Sequence, residues 1–107
     1  MFSLKTFRSY QLGLELYREC EKIKPKYHLK DQLLRASLST VLNLSEGSAK
    51  ESPKDRRRYY GIALASLRET QTILELVHAT TTSADLVAKA DHLAACLYRL
   101  LNQPLMP

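Results

Sequence analysis

A chain of 107 residues with a net charge of +5, 45% hydrophobic residues and only three glycines has the makeup of one small soluble domain. At that length roughly 65% of the surface exposed by the unfolded chain can be buried, enough for one core and not for two. No apolar run approaches the ~20 residues that a bilayer crossing needs. Met1 to Phe7 lack the apolar stretch and small-residue cleavage site of a secretory signal, so a cytoplasmic location is expected.

The charge is unevenly placed. Residues 1–58 carry 13 Lys/Arg against 7 Asp/Glu, whereas residues 59–107 carry 3 against 4. A basic surface that meets nucleic acid or another acidic partner is the expectation.

The first helical pattern runs over about 6–23, where Phe7, Tyr10, Leu14 and Tyr17 recur at spacings of three and four and predict the buried stripe. Pro25 ends it. Lys22, Lys24 and Lys26 stand at its C-terminal end, where the helix dipole favours cations. The second pattern, about 29–46, has an apolar face of Leu33, Leu34, Ser37, Leu38, Val41 and Leu44, with Gly47 as the residue expected to close it. The third, about 53–78, opens on a well-specified start: Ser52 as N-cap, Pro53 in the first turn, Asp55 as the acidic residue behind it. Its apolar residues, from Tyr59 and Tyr60 through Ile62, Leu67 and Ile73 to Val77, spread over roughly 200° of circumference, where about 100° serves one core. The surplus predicts either a central helix or a subunit interface. The fourth, about 84–101, follows a threonine-rich link and buries Leu86, Ala90, Leu93, Leu97 and Leu100, with Thr82 and Asp85 as its capping pair. Short links make neighbours antiparallel. The expectation is a single all-α domain over residues 1–107, an antiparallel up-down-up-down four-helix bundle. Cys20 and Cys96 fall on its first and last helices at different heights, beyond the ~7 Å Cα separation a disulfide tolerates, and are expected as free thiols.

Catalytic and metal chemistry find little support. His28, His78 and His92 have no ligand spacing with one another or with the cysteines. Gly13, Gly47 and Gly61 are isolated and form no phosphate loop. None of Arg56, Arg57, Arg58 or Arg68 is followed by a histidine four to six residues on, the arrangement of one helical-bundle ribonuclease class. No metal, no cofactor and no enzymatic activity are expected.

Two features rise above this background. One is a polar row on the second helix, Gln32, Arg35, Ser39, Asn43 and Glu46, whose steps of three and four align them on one face. Lysine is missing from the row, which predicts a hydrogen-bonded seam against another helix or subunit as well as a solvated face would. Arg35 and Glu46 are too far apart to pair, so each needs another partner. The other is Lys50, Lys54, Arg56, Arg57 and Arg58. Cations at a helix N-terminus are disfavoured by roughly 0.3–1 kcal/mol each when exposed, while exposed N–H groups with arginines form a receptor for an anion such as phosphate. Lys5 and Arg8, and Arg99 with them, fall at the same end. Tyr59 and Tyr60 continue the apolar stripes and are expected in the core rather than stacked on bases.

The stretch from Asp31 to Val77 resembles the bacterial four-helix proteins found as open reading frames within intervening sequences of 23S rRNA genes. The family pattern is carried here by Gln32, Arg35, Ala36, Ser39, Asn43, Glu46 and Gly47, then by Ile62, Ala63, Ser66, Leu67 and Glu69. Ala65 stands where glycine is usual, and Lys26, Tyr27, His28 and Lys30 replace the aromatic and acidic residues common before the second helix. The resemblance implies a ring-like homopentamer. A distant relative, the accessory protein of diversity-generating retroelements, is likewise pentameric and basic and works with a reverse transcriptase and nucleic acid. The expected partners are therefore further copies of the chain, with RNA or DNA on the basic cluster, or else a protein such as a reverse transcriptase docked on a scaffold.

Overall fold

The computed structural model describes Leu4 and residues 7–25, 27–77 and 84–103. Its regular structure is four helices: α1 (Arg8–Lys22), α2 (Tyr27–Ser48), α3 (Pro53–Val77) and α4 (Ala84–Leu101). Each helix packs on two others, α1 on α2 and α4, α3 on α2 and α4. The result is a cylinder 48 Å long and about 20 Å across. Leu16, Leu33, Leu44, Leu67, Leu74, Leu93 and Leu97 are fully enclosed at its centre.

Phe7 is buried as its place in the predicted stripe requires, but along the rest of its length α1 turns a different set of residues inward. Ser9, Leu12, Gly13, Leu16 and Cys20 are buried, while Tyr10, Leu14 and Tyr17 lie half-buried on the flank. The small residues decide the matter. At Gly13 the backbone comes close to α2, where an added methyl would meet Leu44 and Val41 at 3.4 Å, so the small-residue side faces the core. The end of α1 is capped from outside: Lys30 Nζ donates to the carbonyls of Cys20 (3.3 Å), Glu21 (2.6 Å) and Ile23, the acceptors a helix end leaves without partners. This role falls to Lys30 of α2 rather than to Lys22 or Lys24.

α2 does not end at Gly47. The helix continues to Ser48, and no glycine in the chain has a positive φ, so Gly47 is not a left-handed cap. It is buried, and its flat surface receives the ring of Tyr60. Within α2 the buried hydroxyls of Ser37 and Thr40 donate to the carbonyls of Leu33 (2.7 Å) and Ala36 (3.0 Å), which satisfies them without a neighbour.

The start of α3 is as expected: Ser52 Oγ accepts from the Asp55 N–H at 3.3 Å, and the Ser52 carbonyl accepts from the Arg56 N–H at 3.0 Å. Sitting between α2 and α4, α3 buries Tyr60, Ala63, Leu67, Thr70, Ile73, Leu74 and Val77 within one chain. A central position therefore accounts for most of its wide apolar arc. Ile62 and Leu76 stay exposed. α4 buries Leu86, Ala90, Leu93, Ala94 and Leu97, with Leu100 half-buried; Thr82 lies outside the described residues. Cys20 and Cys96 are free thiols, the first enclosed and the second half-buried.

Candidate functional site

The polar row of α2 lies along α3 and is partly spent inside the chain. Ser39 and Ser66 share a hydroxyl–hydroxyl bond of 2.8 Å, and Asn43 Nδ2 donates to the Ser39 carbonyl (2.9 Å) and to Ser39 Oγ (3.2 Å). Arg35 reaches Glu69 at 3.9 Å and Gln32 through its guanidinium, and Glu46 pairs with Lys50 at 3.0 Å. Partner numbers fall along α3 as they rise along α2, from Arg35 with Glu69 through Ser39 with Ser66 to Gly47 with Tyr60. The hydroxyls and Gly47 let the helix backbones approach closely. Ala65 is exposed and takes no part in that approach.

Beside the seam lies an uncovered apolar strip. Leu38 is 39% exposed, Leu42 57% and Ile62 41%. The register that joins Ser39 to Ser66 and Arg35 to Glu69 sets Leu42 level with Ile62, so the side chains on the two helices form one patch. The sequence places Leu38 on the apolar face of α2 that packs inward, whereas the structure leaves it exposed; Leu42 and its pairing with Ile62 follow only from the register.

The basic cluster at the start of α3 does not converge on one receptor. Arg56 Nη1 donates to the carbonyls of Lys50 (2.9 Å) and Glu51 (2.7 Å), holding the link between α2 and α3. Arg57 bonds the Gln103 carbonyl, tying the start of α3 to the end of α4. Lys50 and Arg58 lie over the ring of Tyr59, 5.1 and 5.5 Å from its centroid, within cation–π range. The hydrogen bond from Lys50 to Glu46 raises the lysine's pKa. Lys54 and Arg58, four residues apart on one face and both exposed, are left without a carboxylate partner among the described residues. Arg8 pairs loosely with Glu15 at 3.9 Å, and Lys5 lies outside the described residues. Tyr60 is buried against Phe7 (5.6 Å between ring centres) with its hydroxyl unpartnered among the described residues, and burial raises its pKa. Neither tyrosine is a free stacking surface.

Among the described residues no group of three or more His, Cys, Asp or Glu is placed to hold a metal ion. Nor is any helix among them long and apolar enough to cross a membrane.

Four packed helices with a short-side-chain polar seam between the second and third define an all-α protein whose marked residues sit on the α2–α3 pair. The family model of the 23S rRNA-intervening sequence protein matches residues 6–103, and the chain belongs to that family. No curated protein matches it.

Proposed function

We propose that the chain is a non-catalytic binding protein that self-assembles through the α2–α3 face and engages nucleic acid with the cations at the start of α3. The observation that carries this is the strip of Leu38, Leu42 and Ile62, exposed beside a polar seam of family-motif residues. Apolar patches rimmed by polar groups mark interaction sites. In this reading the four helices run up-down-up-down, and such a bundle joins into a ring when that strip meets a different surface on the next copy. A homopentamer is the assembly the family resemblance implies. In such a ring Lys54 and Arg58 recur around a common rim and their fields add.

Two features support a role in binding rather than catalysis. Burial pushes the Cys20 thiol up to about 12, which keeps it protonated and non-nucleophilic. Tyr60 is sealed in the core.

Light scattering of the parent and of the double variant Leu42→Glu/Ile62→Glu tests the assembly. The parent should have the mass of several chains and the variant that of one, with helicity retained. A monomeric parent would end the proposal. For the nucleic-acid part, filter binding over a salt series should show affinity falling with a log–log slope of about −0.7 to −0.9 per phosphate contact, and Lys54→Glu/Arg58→Glu should weaken it.

One observation favours a second reading, a scaffold for a protein partner without direct contact to nucleic acid. Arg56 and Arg57 are occupied by backbone carbonyls, which removes two cations from the expected receptor. A protein captured by the tagged chain that persists after nuclease treatment supports the scaffold.

A further inference from the structure

A second surface lies on the neighbouring side of the bundle, where α3 meets α4. Between α3 and α4 lies an open hollow of about 400 Å³ lined by Arg68, Gln71, Asp91, Ala94, Ala95, Tyr98 and Arg99. Tyr98 is 58% exposed and is the one large aromatic side chain left in the open among the described residues. Unlike Tyr59, it has no cation over its ring and no covering aromatic among the described residues. Arg68 is steadied over the hollow: its Nη1 donates to Gln71 Oε1 at 3.3 Å, and Gln71 Nε2 donates to Asp91 Oδ1 at 2.9 Å. Arg99 contacts Cys96 Sγ at 3.4 Å. Neither arginine forms an ion pair among the described residues. The floor, Ala94 and Ala95, is small and leaves the ring accessible.

An exposed ring sharing one hollow with two guanidiniums that have no ion-pair partner among the described residues, beside small alanines, has the chemistry of a single-strand platform. A base stacks on the aromatic face at about 1–3 kcal/mol, and the flanking phosphates take the cations. A duplex cannot use the ring, because its bases are already stacked. A peptide helix would find few apolar anchors here, since apart from Tyr98 the only apolar side chains lining the hollow are the alanines Ala94 and Ala95. The Asp91 carboxylate disfavours a phosphate directly above it and favours the donor edge of a base.

We propose that the α3–α4 groove binds single-stranded RNA or DNA, with a base on Tyr98 and backbone phosphates on Arg68 and Arg99. This rests on the nucleic-acid reading above for the class of partner, but not on self-assembly or on the α3 N-terminal cations.

The test is fluorescence anisotropy of the full chain with a labelled oligouridylate 15-mer and a duplex of equal length, at low salt. The parent should favour the single strand. Tyr98→Ala should lose about 5- to 150-fold in single-strand affinity, the range set by one stacked base, while Tyr98→Phe keeps most of it. Arg68→Gln should flatten the salt slope by about 0.7. Lys54→Glu/Arg58→Glu should weaken both ligands and preserve the preference. If Tyr98→Ala binds like the parent, or changes the mass seen by light scattering, the groove proposal is overturned while the rim cations stand. If the parent binds neither ligand, both nucleic-acid proposals fall together, and the assembly is judged by its mass alone.

Discussion

The Cα of Gly47 rests against the ring of Tyr60 so closely that a methyl group added there would lie 2.7 Å from Cε1 and 2.9 Å from Cδ1. The contact joins the last turn of α2 to the second turn of α3 and, through the 5.6 Å approach of Phe7 to Tyr60, to the start of α1. Three elements are therefore keyed to one absent side chain.

Two glycine substitutions should move stability in opposite directions. Gly47→Ala forces the tyrosine ring aside and should cost about 1–3 kcal/mol, the usual range for overpacking. Gly61→Ala, in mid-α3 where an added methyl meets nothing within 4 Å, should gain about 0.5–1 kcal/mol. Urea denaturation of the two variants at equal protein concentration provides the check. Equal effects would contradict the packing described.

Tyr60 carries a buried hydroxyl without a partner, and such a group costs roughly 1–3 kcal/mol in lost hydration. Tyr60→Phe should consequently be neutral or stabilising by thermal melt, unlike most core substitutions. A loss of more than 1 kcal/mol, on the order of one typical hydrogen bond, would show that the hydroxyl has a partner in solution.

The seam should show energetic coupling. Ser39→Ala and Ser66→Ala each remove one half of a 2.8 Å hydroxyl pair. A double-mutant cycle should give about 0.5–1.5 kcal/mol. Strict additivity would mean that water serves both hydroxyls equally well.

Cys20 links stability to alkaline pH. Burial raises its pKa from 9.0 to about 12, so the folded chain keeps a proton that the unfolded chain releases. The contribution is complete below pH 9 and fades as pH rises toward 12, at no more than about 1.4 kcal/mol per pH unit for one proton. Tyr60 acts with the same sign at higher pH, because its own pKa is raised by burial. Stability of the parent should fall more steeply with pH than that of Cys20→Ala. Under native conditions a thiol reagent should modify half-buried Cys96 before fully enclosed Cys20.

The elements were legible where the signal is local. Ser52, Pro53 and Asp55 announced the start of α3, and Pro25 the end of α1, because capping and proline chemistry act within a few residues. Gly47 was misread for a physical reason. An isolated glycine near the end of an apolar pattern has the sequence appearance of a cap, while its actual cause, the Tyr60 ring, belongs to another helix. α1 offered two overlapping stripes, and counting apolar residues chose Phe7, Tyr10, Leu14 and Tyr17, of which only Phe7 is buried. Close backbone approach at Gly13 chose the other. The polar row on α2 was recognisable as a seam from its short side chains, but Glu69 and Ser66 as its partners were not, since register is a tertiary fact. The cations of α3 were conspicuous in sequence. Their dispersal onto backbone carbonyls and the Tyr59 ring depends on loop geometry that composition does not encode.

α2 and α3 share the most extensive contact of any helix pair in the bundle, across a link of only four residues, 49–52, which Arg56 holds by two carbonyls. Contacts so close in sequence cost little loop entropy to form. This hairpin should therefore be the last part of the molecule to exchange its amide hydrogens and the first to organise during refolding, with α1 and α4 closing onto it afterward. The same hairpin spans the stretch from Asp31 to Val77 in which the family resemblance was read, so that stretch should also be the one on which the rest of the chain condenses.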